Sequence, residues 1–296
     1  MAYSFVVPII GALHPNCDCR INVPFYRIGE LLTVPDIALK WRVRLFHDGE
    51  LKDLREETVV FKNKVPQSPP DTLFIGASET NWGENPGFYE YDFSSENPSD
   101  DSPLFKQFLQ PTSYTICSPA GGKNIFSTPV FKFAVPPVID MVAAYGRYVE
   151  CYPVVELDRQ KDYGESIGMI NPYNKNVRAE ILSSTGGRIF PIRVPKLSAR
   201  YVRLEQLLGP DENDWRGQIQ LTASNRIVTL DIKHSLVDPK RLYNEEHLDP
   251  FRADPTHVPA FQMLRRKIGD ALFKRISPQR TSRRGGEVIS QTRRAG

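Results

Sequence analysis

The strongest constraint on this chain is a period of two. Residues 40–46 read Lys-Trp-Arg-Val-Arg-Leu-Phe, with charge alternating with apolar bulk. Successive side chains of a strand point to opposite faces, so the pattern fits a sheet with one face on a core and the other in water. His47-Asp48-Gly49-Glu50 follows, and Asp-Gly accepts the positive φ of a two-residue hairpin turn. Further strands are expected at 58–61, 72–75, 88–93, 113–117 and 129–135, with Gly, Pro and Asn between them. No long helical period interrupts this region. Short strands with dense turn residues point to an all-β sandwich or barrel.

The second half repeats the plan. Residues 177–182 alternate, 183–187 (Ser-Ser-Thr-Gly-Gly) turn, and 188–194 return. Both hairpins end in Val-Pro, at Val65-Pro66 and Val194-Pro195, and an apolar strand follows each, at 72–75 and 200–204. Each half then reaches a tryptophan and a glycine before another alternating strand: Trp82-Gly83 ahead of 87–91, and Trp215-Arg216-Gly217 ahead of 218–221. The shared order predicts two tandem antiparallel β-sandwich domains of immunoglobulin-like character, related by internal duplication. That likeness concerns fold and carries no function. The domains are placed at 1–136 and 137–258. Strands at 138–145 and 147–155 and a polar stretch at 158–165 mark the junction. Residues 94–103 are acidic and proline-containing, which suits a surface loop.

The pattern changes after His257. Phe261, Leu264, Ile268, Leu272 and Ile276 step by three or four onto one helical face, and Arg265, Arg266, Lys267, Lys274 and Arg275 take the other. Pro259 suits a first helical turn and Pro278 a stop, so a basic amphipathic helix is expected at 259–277 and a disordered basic tail at 278–296. Charge divides at the same place. The whole chain carries only +3; residues 261–296 hold ten Lys/Arg against Asp270 and Glu287, leaving 28 basic and 33 acidic residues in the first 260. A body at −5 and an appendage at +8 make the five basic residues of the helix the expected anchor to a protein partner or an anionic surface. No recognition motif accompanies the charge, so sequence-specific binding of nucleic acid is not expected.

Two groups of residues could hold a metal. His14-x-x-Cys17-x-Cys19 offers soft ligands for zinc or copper, with Cys117 or Cys151 as further ligands if the fold brings them near. The competing reading is two small residues in a turn after the first strand. His247-x-Asp249 with His257, or with His234 as the remote ligand, has the composition of an iron or zinc site; the competing reading is a polar loop at the sandwich end. Nucleophile and phosphate motifs are missing. Gly76-Ala77-Ser78-Glu79-Thr80 lacks the second glycine of a nucleophile elbow, and Gly122-Lys123 lacks both the earlier glycine and the following Ser/Thr of a phosphate loop. Trp82, Phe88, Tyr89, Tyr91 and Phe93 could line a ligand surface, but their alternation favours a core.

No segment reaches the roughly 18 apolar residues of a transmembrane helix. The apolar run at 5–13 contains Pro8 and has no basic residues before it, so a first strand is expected there in place of a signal peptide. Four cysteines are too few for a disulfide framework in 296 residues. The expected setting is cytoplasmic, with peripheral attachment as an option. The expected role is a non-catalytic binding or scaffold protein without a cofactor. A metal-dependent enzyme using His234, His247, Asp249 and His257, or a structural subunit of a larger assembly, are the alternatives.

Overall fold

The computed structural model describes residues 9–248, except 70–71, 84, 96–113, 120–124, 133–149, 152, 184–188, 208–213, 224–226 and 239–240. The fold is all-β. The first half contains β1 (Ile9–Leu13), β2 (Cys17–Asn22), β3 (Ile37–His47), β4 (Glu50–Lys62), β5 (Val65–Gln67), β6 (Leu73–Ile75), β7 (Gly87–Ser94), β8 (Tyr114–Pro119) and β9 (Phe126–Lys132), with helix α1 (Phe25–Leu31) after β2. The second half contains β10 (Glu150–Cys151), β11 (Val154–Asp158), β12 (Gly164–Asn171), β13 (Val177–Ser183), β14 (Ile189–Val194), β15 (Ser198–Arg203), β16 (Asp214–Ala223), β17 (Val228–His234) and β18 (Leu242–His247), with the short helix α2 (Leu204–Leu207) after β15.

All the ladders are antiparallel. The first half forms one continuous path, β5-β4-β3-β7-β1-β9-β8-β2-β6. This path bends back on itself: Arg55 of β4 donates to the Phe74 carbonyl of β6 at 2.8 Å and pairs with Glu79, so strands from opposite ends of the path meet. The second half forms two sheets, β14-β13-β16-β10 with β11 also on β16, and β15-β12-β17-β18. Among the described residues no strand of one half pairs with a strand of the other.

The two halves share a pairing scheme. In the first, β3 pairs with β4 and β7, β7 pairs with β1, β2 pairs with β6 and β8, and β8 pairs with β9. In the second, β13 pairs with β14 and β16, β16 pairs with β11, β12 pairs with β15 and β17, and β17 pairs with β18. Taken in chain order these are the same six pairings. The tryptophans correspond as well. The Trp82 ring covers Gly87 and the Trp215 ring covers Gly217, each occupying the space a Cβ would fill. Beyond these, the first half adds β1–β9 and β4–β5 and the second adds β10–β16; β11 has no pairing with β18 among the described residues.

The β3–β4 hairpin turns on two residues with positive φ, +47° at Asp48 and +86° at Gly49. The same turn meets the second half: Gly49 N–H donates to the Leu197 carbonyl at 3.1 Å, and Arg200 donates to Asp48 at 2.8 Å. Phe25 of α1 stands edge-on to both Trp41 and Phe93, with ring centroids 5.4 and 5.9 Å away. Phe88, Tyr89, Tyr91 and Phe93 are fully buried, so the aromatic run of β7 is core. The buried apolar residues make one cluster that runs through both halves.

Several segments depart from the sequence expectation. Residues 17–22 form strand β2, with Cys17, Cys19 and Ile21 buried, where the sequence reading places a turn. Residues 242–247 form strand β18, where a polar loop is expected. The polar stretch 158–165 is a tight hairpin inside the second half: Asp158 and Tyr163 exchange backbone hydrogen bonds of 2.8 and 2.9 Å. Residues 138–145, the helix expected at 259–277 and the tail at 278–296 lie outside the described residues. Among the described residues no helix is long and apolar enough to cross a membrane.

Alanine at Gly49 would hold a Cβ at positive φ, so Gly49→Ala should cost about 1–2 kcal/mol. Its urea midpoint should fall at unchanged m-value, and an unchanged midpoint would contradict the turn geometry.

Candidate functional site

The two halves meet around His14. This residue follows β1, where the chain turns toward β2, and its side chain is fully buried. Nε2 lies against the carboxylate of Glu245 on β18, itself fully buried. Nδ1 is 3.0 Å from the Tyr201 hydroxyl on β15. The direction of the bond to Tyr201 follows the tautomer: with the ring proton on Nε2, Nδ1 accepts from the tyrosine hydroxyl. Tyr201 pairs with Gly168 across the β12–β15 ladder, and Glu245 pairs with Ile232 across β17–β18. A Cβ on Gly168 would stand 3.2 Å from the Tyr201 ring, so glycine gives the ring room on that face. Burial pushes the Tyr201 hydroxyl well above its ordinary pKa, with the Glu245 charge adding to it.

The thiols of β2 and β8 lie beside this group. Cys19 and Cys117 are opposite one another in the β2–β8 ladder, with sulfurs 3.6 Å apart. Cys17 sits two residues earlier, its N–H bonded to Thr80 Oγ1 at 3.2 Å. Burial, with Cys19 and Asp18 beside it, pushes the Cys17 thiol up to about 12. The contact with Cys19, and then burial, raise Cys117 as well. Thiols held neutral in this way are poor nucleophiles and poor metal ligands at neutral pH. Among the described residues no three His, Cys, Asp or Glu side chains gather as a group able to hold a metal ion.

The second metal candidate is spread out. His234 is buried, with Nε2 2.8 Å from Ser166 Oγ and Nδ1 3.0 Å from the Ser235 carbonyl. Both ring nitrogens are engaged: Nδ1–H donates to the carbonyl and Nε2 accepts from serine. His234 pairs with Leu242 and His247 with Leu230, at opposite ends of the β17–β18 ladder. At about 3.3 Å per residue the ladder therefore holds the two histidines apart. Asp249, His257 and the anchor residues Arg265, Arg266, Lys267, Lys274 and Arg275 lie outside the described residues.

A buried carboxylate pair escapes the sequence reading. Glu165 lies opposite Lys233 and Asp231 opposite Ile167, making the two acids diagonal neighbours on one face. Tyr163 donates to Glu165 at 2.6 Å, and Lys233 lies 3.8 Å from Asp231 and 3.1 Å from Glu246. Burial, followed by the Glu165 charge, pushes Asp231 up to about 7; burial raises Glu165 too. The one signal in the sequence is an acid in phase with apolar neighbours, Glu165 with Ile167 and Met169. A second charged group lies across β3 and β7. Arg42 opposes and pairs with Asp92 at 3.0 Å, and Arg44 opposes Glu90 and reaches both acids.

No protein-family model matches this chain, and no curated protein matches it in sequence. Its chemistry therefore rests on the geometry above.

Two outcomes follow from it. Tyr201→Phe should cost about 1–3 kcal/mol, because it takes a hydroxyl away from buried His14, and Tyr243→Phe should cost less than about 1 kcal/mol at its part-exposed position. Equal losses in urea unfolding would contradict the special place of Tyr201. A carboxyl whose pKa is raised on folding binds its proton more tightly in the native state, so stability falls as pH climbs from the unfolded value to the folded one. The protein should therefore lose stability between about pH 4 and about pH 7, by at most about 1.4 kcal/mol per pH unit for Asp231. Asp231→Asn should flatten that slope. An unchanged slope would contradict the assignment.

Proposed function

We propose that this protein is a non-catalytic binding or scaffold module. In this reading two duplicated, immunoglobulin-like sandwich halves form a cytoplasmic body, and the basic segment from residue 259 onward holds it to an anionic surface. The six matching pairings and the two Trp-over-Gly contacts support the duplication. The observation that carries the functional reading is the β4 edge. Among the described residues, Glu50–Val59 of this strand pairs only with β3, while β5 covers Val60–Lys62 and the Arg55 side chain reaches across to the Phe74 carbonyl of β6. Leu51 and Leu54 stand about half exposed there, at 49% and 48%, among Glu50, Lys52, Asp53, Arg55, Glu56 and Glu57.

An open strand edge is a place where a partner's backbone can add a strand. Mixed charges and a register shift opposite Leu45/Phe46 work against indiscriminate pairing, so the partner must match the charge order of β4. The opposite signs of body and appendage support separate roles, with the edge for recognition and the basic helix for attachment.

Co-sedimentation with phosphatidylserine-containing vesicles tests the attachment. The full chain should sediment with them at low salt and be released at high salt, since each basic residue near an anionic surface is worth roughly 1 kcal/mol and salt screens it. A chain ending at residue 260 should stay folded and remain in the supernatant. Equal sedimentation of both chains, or of neither, would overturn this part of the proposal.

A further inference from the structure

We propose that Cys19 and Cys117 are a disulfide site that can staple β2 to β8. Two observations carry this inference. The residues are directly opposed in an antiparallel ladder, with Arg20↔Ile116 and Asp18↔Ser118 flanking them in register. Opposed residues in such a ladder have Cα atoms about 4.5–5.5 Å apart, inside the range of about 4.4–6.8 Å that a disulfide spans. The sulfurs already touch at 3.6 Å, so rotation about the side-chain bonds suffices and the backbone need not move.

The pair is also selective. Cys17 is buried on the same strand but faces Pro119, so it has no opposed thiol. Its sulfur is directed to the Pro15 carbonyl at 3.6 Å. Cys19 and Cys117 have no exposed surface. A small oxidant therefore reaches them before the sheet closes, and cross-linking belongs to folding rather than to the finished protein.

The chemistry balances with a small-molecule disulfide as oxidant. One cysteine thiolate attacks oxidised glutathione, forming a mixed disulfide and releasing a glutathione thiolate. The second cysteine thiolate attacks the protein sulfur of that mixed disulfide and releases the other. The two cysteine protons end on two glutathione thiols. The bond joins residues 98 apart in sequence, and cross-links across long loops restrict the unfolded chain most. In a reducing compartment the same sulfurs stay as thiols, as they are in this structure.

The test refolds the full chain from denaturant in glutathione buffers ranging from fully reduced to fully oxidised, traps free thiols with iodoacetamide, and measures intact mass and peptide linkage. At the oxidised end the expected product carries two alkylated cysteines and a Cys19–Cys117 linkage. Its urea midpoint should exceed that of the reduced protein, and dithiothreitol should reverse the gain. The Cys17→Ala/Cys151→Ala double variant should still form the linkage. Four alkylated cysteines at every buffer ratio, or a dominant linkage through Cys17 or Cys151, would overturn the proposal. The wild-type chain alone decides this, whether or not any variant folds.

Discussion

The contact of His14 with Glu245 and Tyr201 ties the two halves of this protein together. A histidine from one half and a carboxylate from the other are both fully removed from water. Separating the halves would expose them, but removing only one partner would leave the other polar group buried without compensation, at a cost of about 1–3 kcal/mol. The contact is local, yet it depends on the register of four strands. β1 delivers His14, β15 delivers Tyr201 across the glycine of β12, and β18 delivers Glu245. A one-residue slip of any of them would turn its side chain to the wrong face.

The shared pairing scheme explains how the second half can contribute in this way. In the first half β1 binds both β7 and β9, which closes the path into a continuous sheet. The corresponding closure does not occur between β11 and β18 among the described residues. β18 packs against β9 of the first half and carries Glu245 into the junction. The two pairing schemes thus differ where the halves meet: β9 pairs with β1 in its own half, whereas β18 packs against β9.

The all-β class, the β3–β4 hairpin and the β13–β14 hairpin were legible because alternation and turn chemistry are local signals. Asp48-Gly49 announced its turn, and Trp41, Val43 and Leu45 announced the buried face. Strands β12 and β17 were harder to read because both of their faces are buried, so the polar-apolar alternation is lost. β18 was hidden by its composition, since Glu245, Glu246 and His247 look like a loop until Glu245 has a partner 231 positions earlier in the chain. The same holds for the site. Cys17, Cys19 and Cys117 could be named from sequence, but the opposition of Cys19 to Cys117 is a matter of register. The Glu165–Asp231 pair is likewise a diagonal contact between strands more than sixty residues apart.

The His14 junction is expected to make one cooperative body of two similar halves. Hydrogen exchange on the full chain carrying His14→Ala tests it most directly. If the junction couples the halves, amide protection should fall in β12 and β17 as well as in β1 and β2, because opening the contact exposes both sides to the same unfolding event. Loss of protection confined to β1 and β2, with β12 and β17 exchanging as in the unaltered protein, would contradict it.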